Sequence, residues 1–294
     1  MPELPDVTVY VEQLQSRLQG RTLARIRLIH PFLLRSVTPP LSAAEGKKLA
    51  GVRRLGKRIV FELEGSLFLV LHLMIAGRLR WLPKGKKPPG RLALATFEFE
   101  DATLLLTEAG TKRRASIHVV EGEAALAAMN PGGLEILETD LARFAERLRQ
   151  DNHTVKRALT DPHLFSGIGN AYSDEILHRA KLSPFAQTSS LSNEEVKRLF
   201  DATRAVLLEW TDRLRRAAGS DLPEKVTAFH EEMAVHGRWR KPCPVCGSPV
   251  QRIVYAENET NYCARCQTGG KILADRALSR LLKASWPRSI DELD

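Results

Sequence analysis

The sequence predicts an α+β chain: an N-terminal β-sandwich domain opened by one long helix, a helical region behind it, and a small ribbon closed by cysteine pairs near the C-terminus. Three observations carry this. Apolar residues recur at helical spacing over residues 6–19, a strand-like pattern then runs to about residue 121, and helical spacing returns over residues 139–218. All four cysteines fall between Cys243 and Cys266. The expected boundaries are 1–130 for the sandwich, 131–240 for the helical domain, 241–268 for the cysteine finger and 269–294 for a C-terminal extension.

In the first helix Val7, Tyr10, Val11, Leu14 and Leu18 repeat mostly at three and four residues, and Gly20 stops it. Strands are expected at Thr22–Ile29, Gly51–Glu64, Leu67–Trp81, Ala93–Glu100 and Ala102–Leu106, with the turn-prone stretch 83–90 between two of them. Asn130-Pro131-Gly132-Gly133 marks the domain boundary. Helices follow at Asp140–Gln150, Asn152–Thr160, Asn170–Lys181 and Asn193–Ala218, the last three each beginning on an asparagine suited to an N-cap. Ile272, Leu273, Ala277, Leu281 and Leu282 give an amphipathic helix ended by Pro287, expected to dock on the body of the protein.

The chain has 294 residues, enough for one large or two ordinary domains with real cores. Lys plus Arg number 44 against 35 acidic residues, a net charge of +9 that favours polyanions, nucleic acid ahead of an anionic membrane. No apolar run is long enough to span a bilayer. Cysteines confined to one short segment argue against a disulfide-stapled secreted domain. A reducing cytoplasmic compartment, nucleoid-associated, is expected.

The sharpest motif is Cys243-Pro244-Val245-Cys246, sixteen residues, then Cys263-Ala264-Arg265-Cys266. Each pair is a tight knuckle that sets two sulfurs on one side of a metal. Four thiolates complete a tetrahedral site with no open position, which makes one Zn2+ structural rather than catalytic. A second motif, Ser166-Gly167-Ile168-Gly169-Asn170, puts two glycines ahead of a helix whose N-terminal N–H groups favour phosphate; the same pattern also fits a plain turn. Lys57, at the opening of a strand, reads by itself first as a solvated sheet-edge lysine and second as a phosphate contact or an aid to proton transfer. The third motif is the start, Met1-Pro2-Glu3-Leu4-Pro5-Asp6. With Met1 removed, Pro2 is a terminal secondary amine, and such an amine is free base far more often near pH 7 than a lysine. It can attack a sugar C1′ and form an iminium ion, with Glu3 beside it to move protons. Taken alone, Pro2 reads more readily as part of a helix start.

The start Met1–Asp6, the run Asn152-His153-Thr154-Val155-Lys156 through Gly167–Glu175, and the four-cysteine ribbon together resemble the formamidopyrimidine-DNA glycosylase / endonuclease VIII family, in order and spacing over residues 1 to about 268. The resemblance implies a β-sandwich joined to a helix–two-turn–helix domain and a zinc finger, with damaged DNA, duplex or opened, in the cleft between the halves. It implies a bifunctional DNA glycosylase and abasic-site lyase of base excision repair, acting as a monomer. Pro2 would displace the damaged base through an iminium intermediate, Glu3 would handle protons, Lys57 would hold a phosphate and assist, and β,δ-elimination would nick the strand. His72, Ile75, Arg113, Lys156, Gly169, Asn170 and Asn258 are the positions implied to face DNA.

Four departures qualify the resemblance. Asn258 stands where the family's finger carries a phosphate-binding arginine. Ile75 holds the place of a wedge methionine, with Met74 one residue early. Arg113-Arg114-Ala115 replaces an Arg-Arg-Phe wedge, and alanine cannot intercalate. The stretch 219–229 is several residues shorter than the loop that covers extruded 8-oxoguanine. These departures favour oxidised pyrimidines, hydantoins or abasic sites over 8-oxoguanine paired with cytosine. They also motivate a competing reading: a DNA-structure- or abasic-site-binding protein on the same scaffold with weak or no chemistry.

Overall fold

The computed structural model describes residues 1–86, 90–109, 112–223, 230–255, 258–274, 281 and 287–292. The chain divides into two compact units: residues 1–131 with 210–227, and residues 132–209 with 228–294.

The first unit opens with α1 (Leu4–Leu18), whose buried face is Leu4, Val7, Tyr10, Leu14 and Leu18. Eight strands follow: β1 (Arg25–Leu28), β2 (Leu49–Leu55), β3 (Arg58–Leu63), β4 (Leu67–His72), β5 (Gly77–Pro83), β6 (Ala93–Glu98), β7 (Ala102–Glu108) and β8 (Ser116–Glu121). They form two four-stranded antiparallel sheets, ordered β1-β6-β7-β5 and β2-β3-β4-β8. Side chains of both sheets and of α1 meet in one core, among them Tyr10, Phe61, Leu69, Phe97 and Leu104. The second sheet is covered on its other side too, where Val60, Phe68 and Val70 pack with Leu126 of α2 (Glu123–Ala128). Burial on both faces is why Leu67–Leu71 reads as an unbroken apolar run instead of an alternation.

Two of the expected strands are each a pair. Gly51–Glu64 is broken by a turn at Gly56, φ +60°, into β2 and β3. Leu67–Trp81 is broken into β4 and β5 by a tight turn in which Gly77 N–H donates to Leu73 C=O at 2.9 Å. A Cβ at Gly77 would sit 2.2 Å from that carbonyl oxygen, so only glycine closes the turn. β8 escaped the sequence reading because its buried residues, Ile117 and Val119, are interleaved with His118 in a short polar context.

The second unit is helical, with α3 (Leu141–Arg149), α4 (Val155–Thr160), α5 (Asn170–Arg179) and α6 (Asn193–Ala218), the unit division falling inside α6. The expected asparagine caps are replaced. Thr154 Oγ1 caps α4, while Asn152 Oδ1 instead accepts from the Ser189 hydroxyl at 2.8 Å. Gly169 occupies the cap position of α5. Ser192 and Glu195 form a reciprocal pair of bonds at the start of α6. At α4 and α6 a hydroxyl immediately before the first helical residue outcompetes the asparagine. Beyond α6, β9 (Gln251–Tyr255) and β10 (Asn258–Tyr262) make a hairpin, followed by α7 (Ala264–Thr268).

Most of the amphipathic stretch expected over 272–282 lies outside the described residues. Its two flanks are described and clamp together: Ile272 N–H donates to Arg288 C=O and Ile290 N–H to Gly270 C=O. Ile272 and Ile290 pack with Ile253 and Tyr262 of the ribbon. No helix among the described residues is long and apolar enough to cross a membrane.

Candidate functional site

In the first unit, charged groups converge on the chain start. Glu3 is the N-cap of α1: its side chain accepts the Asp6 N–H, and its own N–H donates to Asp6 Oδ2 at 2.8 Å. This reciprocal capping box fixes the Glu3 carboxyl, which is only 2% exposed. Burial pushes the Asp6 carboxyl up to about 7, with the Glu3 N–H pulling the other way. The terminal amine, carried here by Met1, is pushed below its usual value by burial, against the pull of Glu3 and Asp6. Arg78 and Lys57 add to the lowering, which places both near the same nitrogen.

Lys57 lies in the β2–β3 turn and is partly buried rather than standing on a solvated sheet edge. Burial pushes its ammonium down, and the Glu3 carboxylate opposes that shift. His72 is opposite Arg58 in the β3–β4 register. Burial first, then Arg58 and Lys57, push His72 down to about 4, so its ring is neutral at pH 7. Its Nε2 is buried without a partner among the described residues, an orphaned polar atom beside Lys57 and Arg58. Ile75 is 57% exposed at the tip of the β4–β5 turn, next to Met74 in a left-handed backbone, φ +52°.

Arg113 does not stand free. Its Nη1 lies 2.6 Å from His30 Nε2, and its Nη2 donates to the Arg91 carbonyl at 2.6 Å. Ala115 is fully buried, and the Glu108 carboxylate accepts the N–H groups of Arg114 and Ala115 at 3.0 and 3.1 Å. An acidic side chain thus cinches the loop and turns residue 115 inward. Arg78 and Glu108 were missed from sequence: Arg78 lies in an ordinary strand alternation, and Glu108 ends the apolar run of β7 with nothing to single it out.

In the second unit, α5 organises a buried polar network. Lys156 Nζ donates to Asn170 C=O at 3.2 Å, Ser173 Oγ at 2.9 Å and Asp174 Oδ1 at 2.5 Å. An ammonium has three donors, and all three are spent here. Lys156 therefore braces the start of α5 in this structure instead of presenting a free charge. Asp174 Oδ2 lies 2.7 Å from His236 Nδ1 and accepts Asn261 N–H at 3.1 Å. Glu175 accepts three successive backbone N–H groups, of Ala234, Val235 and His236. Asn170, one residue past the Gly169 cap, donates through Nδ2 to Glu259 C=O at 2.8 Å. Asn258 is exposed at the turn end of the hairpin, opposite Tyr255. Asp174, Glu175 and His236 were missed as a constellation because their partners lie about sixty to ninety residues away in sequence.

The four cysteine Sγ atoms lie within 4.8 Å of one another, with Cys243–Cys266 at 3.9 Å and Cys246–Cys263 at 3.4 Å. Tetrahedral Zn–S bonds of about 2.3 Å put sulfurs about 3.8 Å apart. The donor set and its spacing fit one structural Zn2+, held by Cys243, Cys246, Cys263 and Cys266. Two open surface depressions, one around Arg21, Lys84 and Asp101, the other around Arg143, Glu146 and Arg147, contain none of these groups.

Three domain families match in sequence order. The formamidopyrimidine-DNA glycosylase N-terminal domain matches residues 1–115, its H2TH domain residues 133–214, and the zinc finger found in FPG and IleRS residues 240–269. A formamidopyrimidine-DNA glycosylase of Thermus thermophilus is 34% identical over 288 residues, covering 92% of this chain and 100% of the relative. An uncharacterized formamidopyrimidine-DNA glycosylase-like protein of Mycobacterium tuberculosis is 42% identical over 156 residues, 53% of this chain. Among solved structures, Lactococcus lactis Fpg in complex with DNA containing an oxidized pyrimidine superposes with a TM-score of 0.81 at 26% identity, covering 91% of this chain and 100% of that one. The same organism's Fpg with abasic-site DNA gives 0.79 at 25% identity, covering 90% and 99%. With the β-sandwich, the helical domain and the cysteine finger in the same order, the chain belongs to the formamidopyrimidine-DNA glycosylase family.

Proposed function

We propose that this protein is a DNA glycosylase and abasic-site lyase that removes oxidised bases through a Pro2 iminium intermediate. The observation that carries the reading is the convergence of Glu3, Lys57 and the chain-terminal amine in one buried, charged cluster. In the form that begins at Pro2, the secondary amine attacks C1′ of the damaged nucleoside. The glycosidic electron pair leaves with the base, which takes up the proton that the amine nitrogen gives up. Opening of the sugar ring breaks C1′–O4′, and Glu3, fixed by its capping box, supplies the proton to O4′. The resulting iminium draws electrons from C2′, so loss of a C2′ proton expels the 3′ phosphate; a second elimination expels the 5′ phosphate.

Pro2 is itself buried, and burial favours the free base of an amine at neutral pH, which suits a nucleophile. Lys57, also shifted down by burial, is placed to hold a phosphate or accept a proton. His72, kept neutral, can donate a hydrogen bond without adding charge. Asn170 and the α5 start offer phosphate donors, while Lys156 acts by bracing them. The exposed Ile75 is the apolar group available to fill a gap in the base stack. Ala115, turned inward, fills none of it. This favours lesions that are weakly stacked, oxidised pyrimidines and abasic sites, over well-stacked 8-oxoguanine.

Glu3→Gln tests the assignment of roles. On duplex carrying an oxidised pyrimidine, base removal should fall by roughly 10²-fold or more. On a preformed abasic site, strand nicking should stay within about tenfold of the parent, since that sugar opens to its aldehyde in solution without help from Glu3. Equal losses on the two substrates would remove Glu3 from its proton-donor role.

A further inference from the structure

The stretch Arg238-Trp239-Arg240-Lys241 has no part in the chemistry above, yet it builds a distinctive surface. Trp239 is 38% exposed, and two guanidinium groups stack against its ring: Arg252 with its Cζ 3.5 Å from the centroid and Arg240 at 4.4 Å. Both distances are well inside the range of a cation–π contact. The stack holds two like charges close together at the protein surface. Arg252 has one carboxylate nearby, Glu259 at 3.8 Å. Arg240 and Lys241 have no acidic partner among the described residues. A bound anion would relieve that repulsion.

The backbone adds a second observation. Arg240 has φ +65°, in the left-handed region, where its N–H donates to Val250 C=O at 2.9 Å. That conformation favours glycine and disfavours residues with a Cβ. A long cationic side chain stands where the turn itself calls for none.

Strand geometry separates this surface from Asn258 at the hairpin's turn end. Arg252 pairs with Asn261 and Val254 with Glu259, whereas Asn258 pairs with Tyr255 and Thr260 with Ile253. Because side chains alternate along a strand, Arg252 and Asn258 point to opposite faces of the ribbon. Ile253 and Thr260 share a buried face; on the other face Arg252 and Val254 are exposed and Asn261 is covered. Asn261 Oδ1 accepts Gly237 N–H at 2.7 Å, which fixes the Trp239 segment on that exposed side.

We propose that Trp239, Arg240, Lys241 and Arg252 form a second DNA-binding surface on the zinc ribbon, one that contacts the phosphodiester backbone independently of any lesion. The planar guanidinium edges donate to phosphate oxygens, and the indole holds both groups flat and spaced for adjacent phosphates. The surface reads charge and not sequence, so it serves undamaged duplex as well as damaged.

The test is binding of an undamaged 20-base-pair duplex across a salt series, which does not involve the N-terminal chemistry. Each phosphate neutralised contributes about 0.9 to the slope of log K against log salt. Arg240→Gly is the informative variant, because glycine suits φ +65° and leaves the fold unstrained. Its slope should fall by about 1, and that of Arg240→Gly/Arg252→Gln by about 2, with melting temperature and zinc content kept at or above the parent's. An unchanged slope in both variants would overturn the proposal, as would loss of polyglutamate binding with duplex binding intact, which would assign the surface to an acidic protein. Base removal by either variant has no bearing on this outcome, so failure here and failure of the N-terminal mechanism are distinguishable.

Discussion

Replacing Asp174 by alanine is expected to destabilise the second unit by about 3–5 kcal/mol, the usual cost of removing one partner from a buried ion pair. The Asp174 side chain is 0% exposed and that of Lys156 14%. One carboxylate oxygen holds the Lys156 ammonium, and the other meets His236 Nδ1 and the Asn261 N–H. Alanine would leave a buried ammonium, a buried imidazole nitrogen and a strand N–H without their acceptor, and each carries its own desolvation penalty. The same carboxylate ties α4, α5, residue 236 and β10 to one point, so the loss should loosen the hairpin from α5. The measurement is urea unfolding followed by hydrogen exchange on β10 amides, read separately from those of the sandwich. A loss under about 1 kcal/mol, with β10 protection unchanged, would show that the network is incidental.

Removal of the metal should have a still larger local effect. The ribbon's own apolar clusters are small: Ile253, Tyr262, Ala264, Ile272 and Ile290 on one side, Val235 and Val250 beside the cysteines on the other. So little buried surface does not hold a two-stranded hairpin by itself. Apparent zinc-binding energies of about 10–16 kcal/mol supply what the core lacks. Cys263→Ser, or chelation of the parent protein, should therefore release about one zinc per chain and abolish exchange protection in β9, β10 and α7. Protection in α1 and the two sheets should persist, since they belong to the other compact unit and have their own core. A variant that lacks zinc but keeps a protected ribbon would contradict this.

What the sequence could reveal was set by the range of the interactions involved. The α1 repeat, the double-faced apolar run of β4 and the paired cysteines are local patterns, and local patterns survive reading in one dimension. The cap positions were misplaced because asparagine, threonine and serine all suit a cap, and the choice among Asn152, Thr154 and Ser192 turns on hydrogen bonds made elsewhere, such as that of Asn152 with Ser189. The state of Lys156 was invisible for a related reason. Its lysine chemistry suggests a phosphate contact, and only the folded chain brings Ser173 and Asp174 round to occupy its donors. Likewise Ala115 was legible as a missing aromatic, but its inward turn depends on Glu108 across the loop. The Trp239 stack combines residues from a loop and a strand, and no spacing rule connects Arg240 with Arg252.

The chemistry proposed for the chain start is tested most directly by trapping. Protein shown by intact mass to begin at Pro2 should be incubated with abasic-site duplex and sodium borohydride, and the adduct digested and mapped. A covalent protein–DNA adduct is expected in high yield, with the added mass on the N-terminal peptide, and Pro2→Gly should slow its formation. Tight binding of the same duplex with no adduct from Pro2-initiated protein would contradict the account and leave a DNA-binding protein on a glycosylase scaffold.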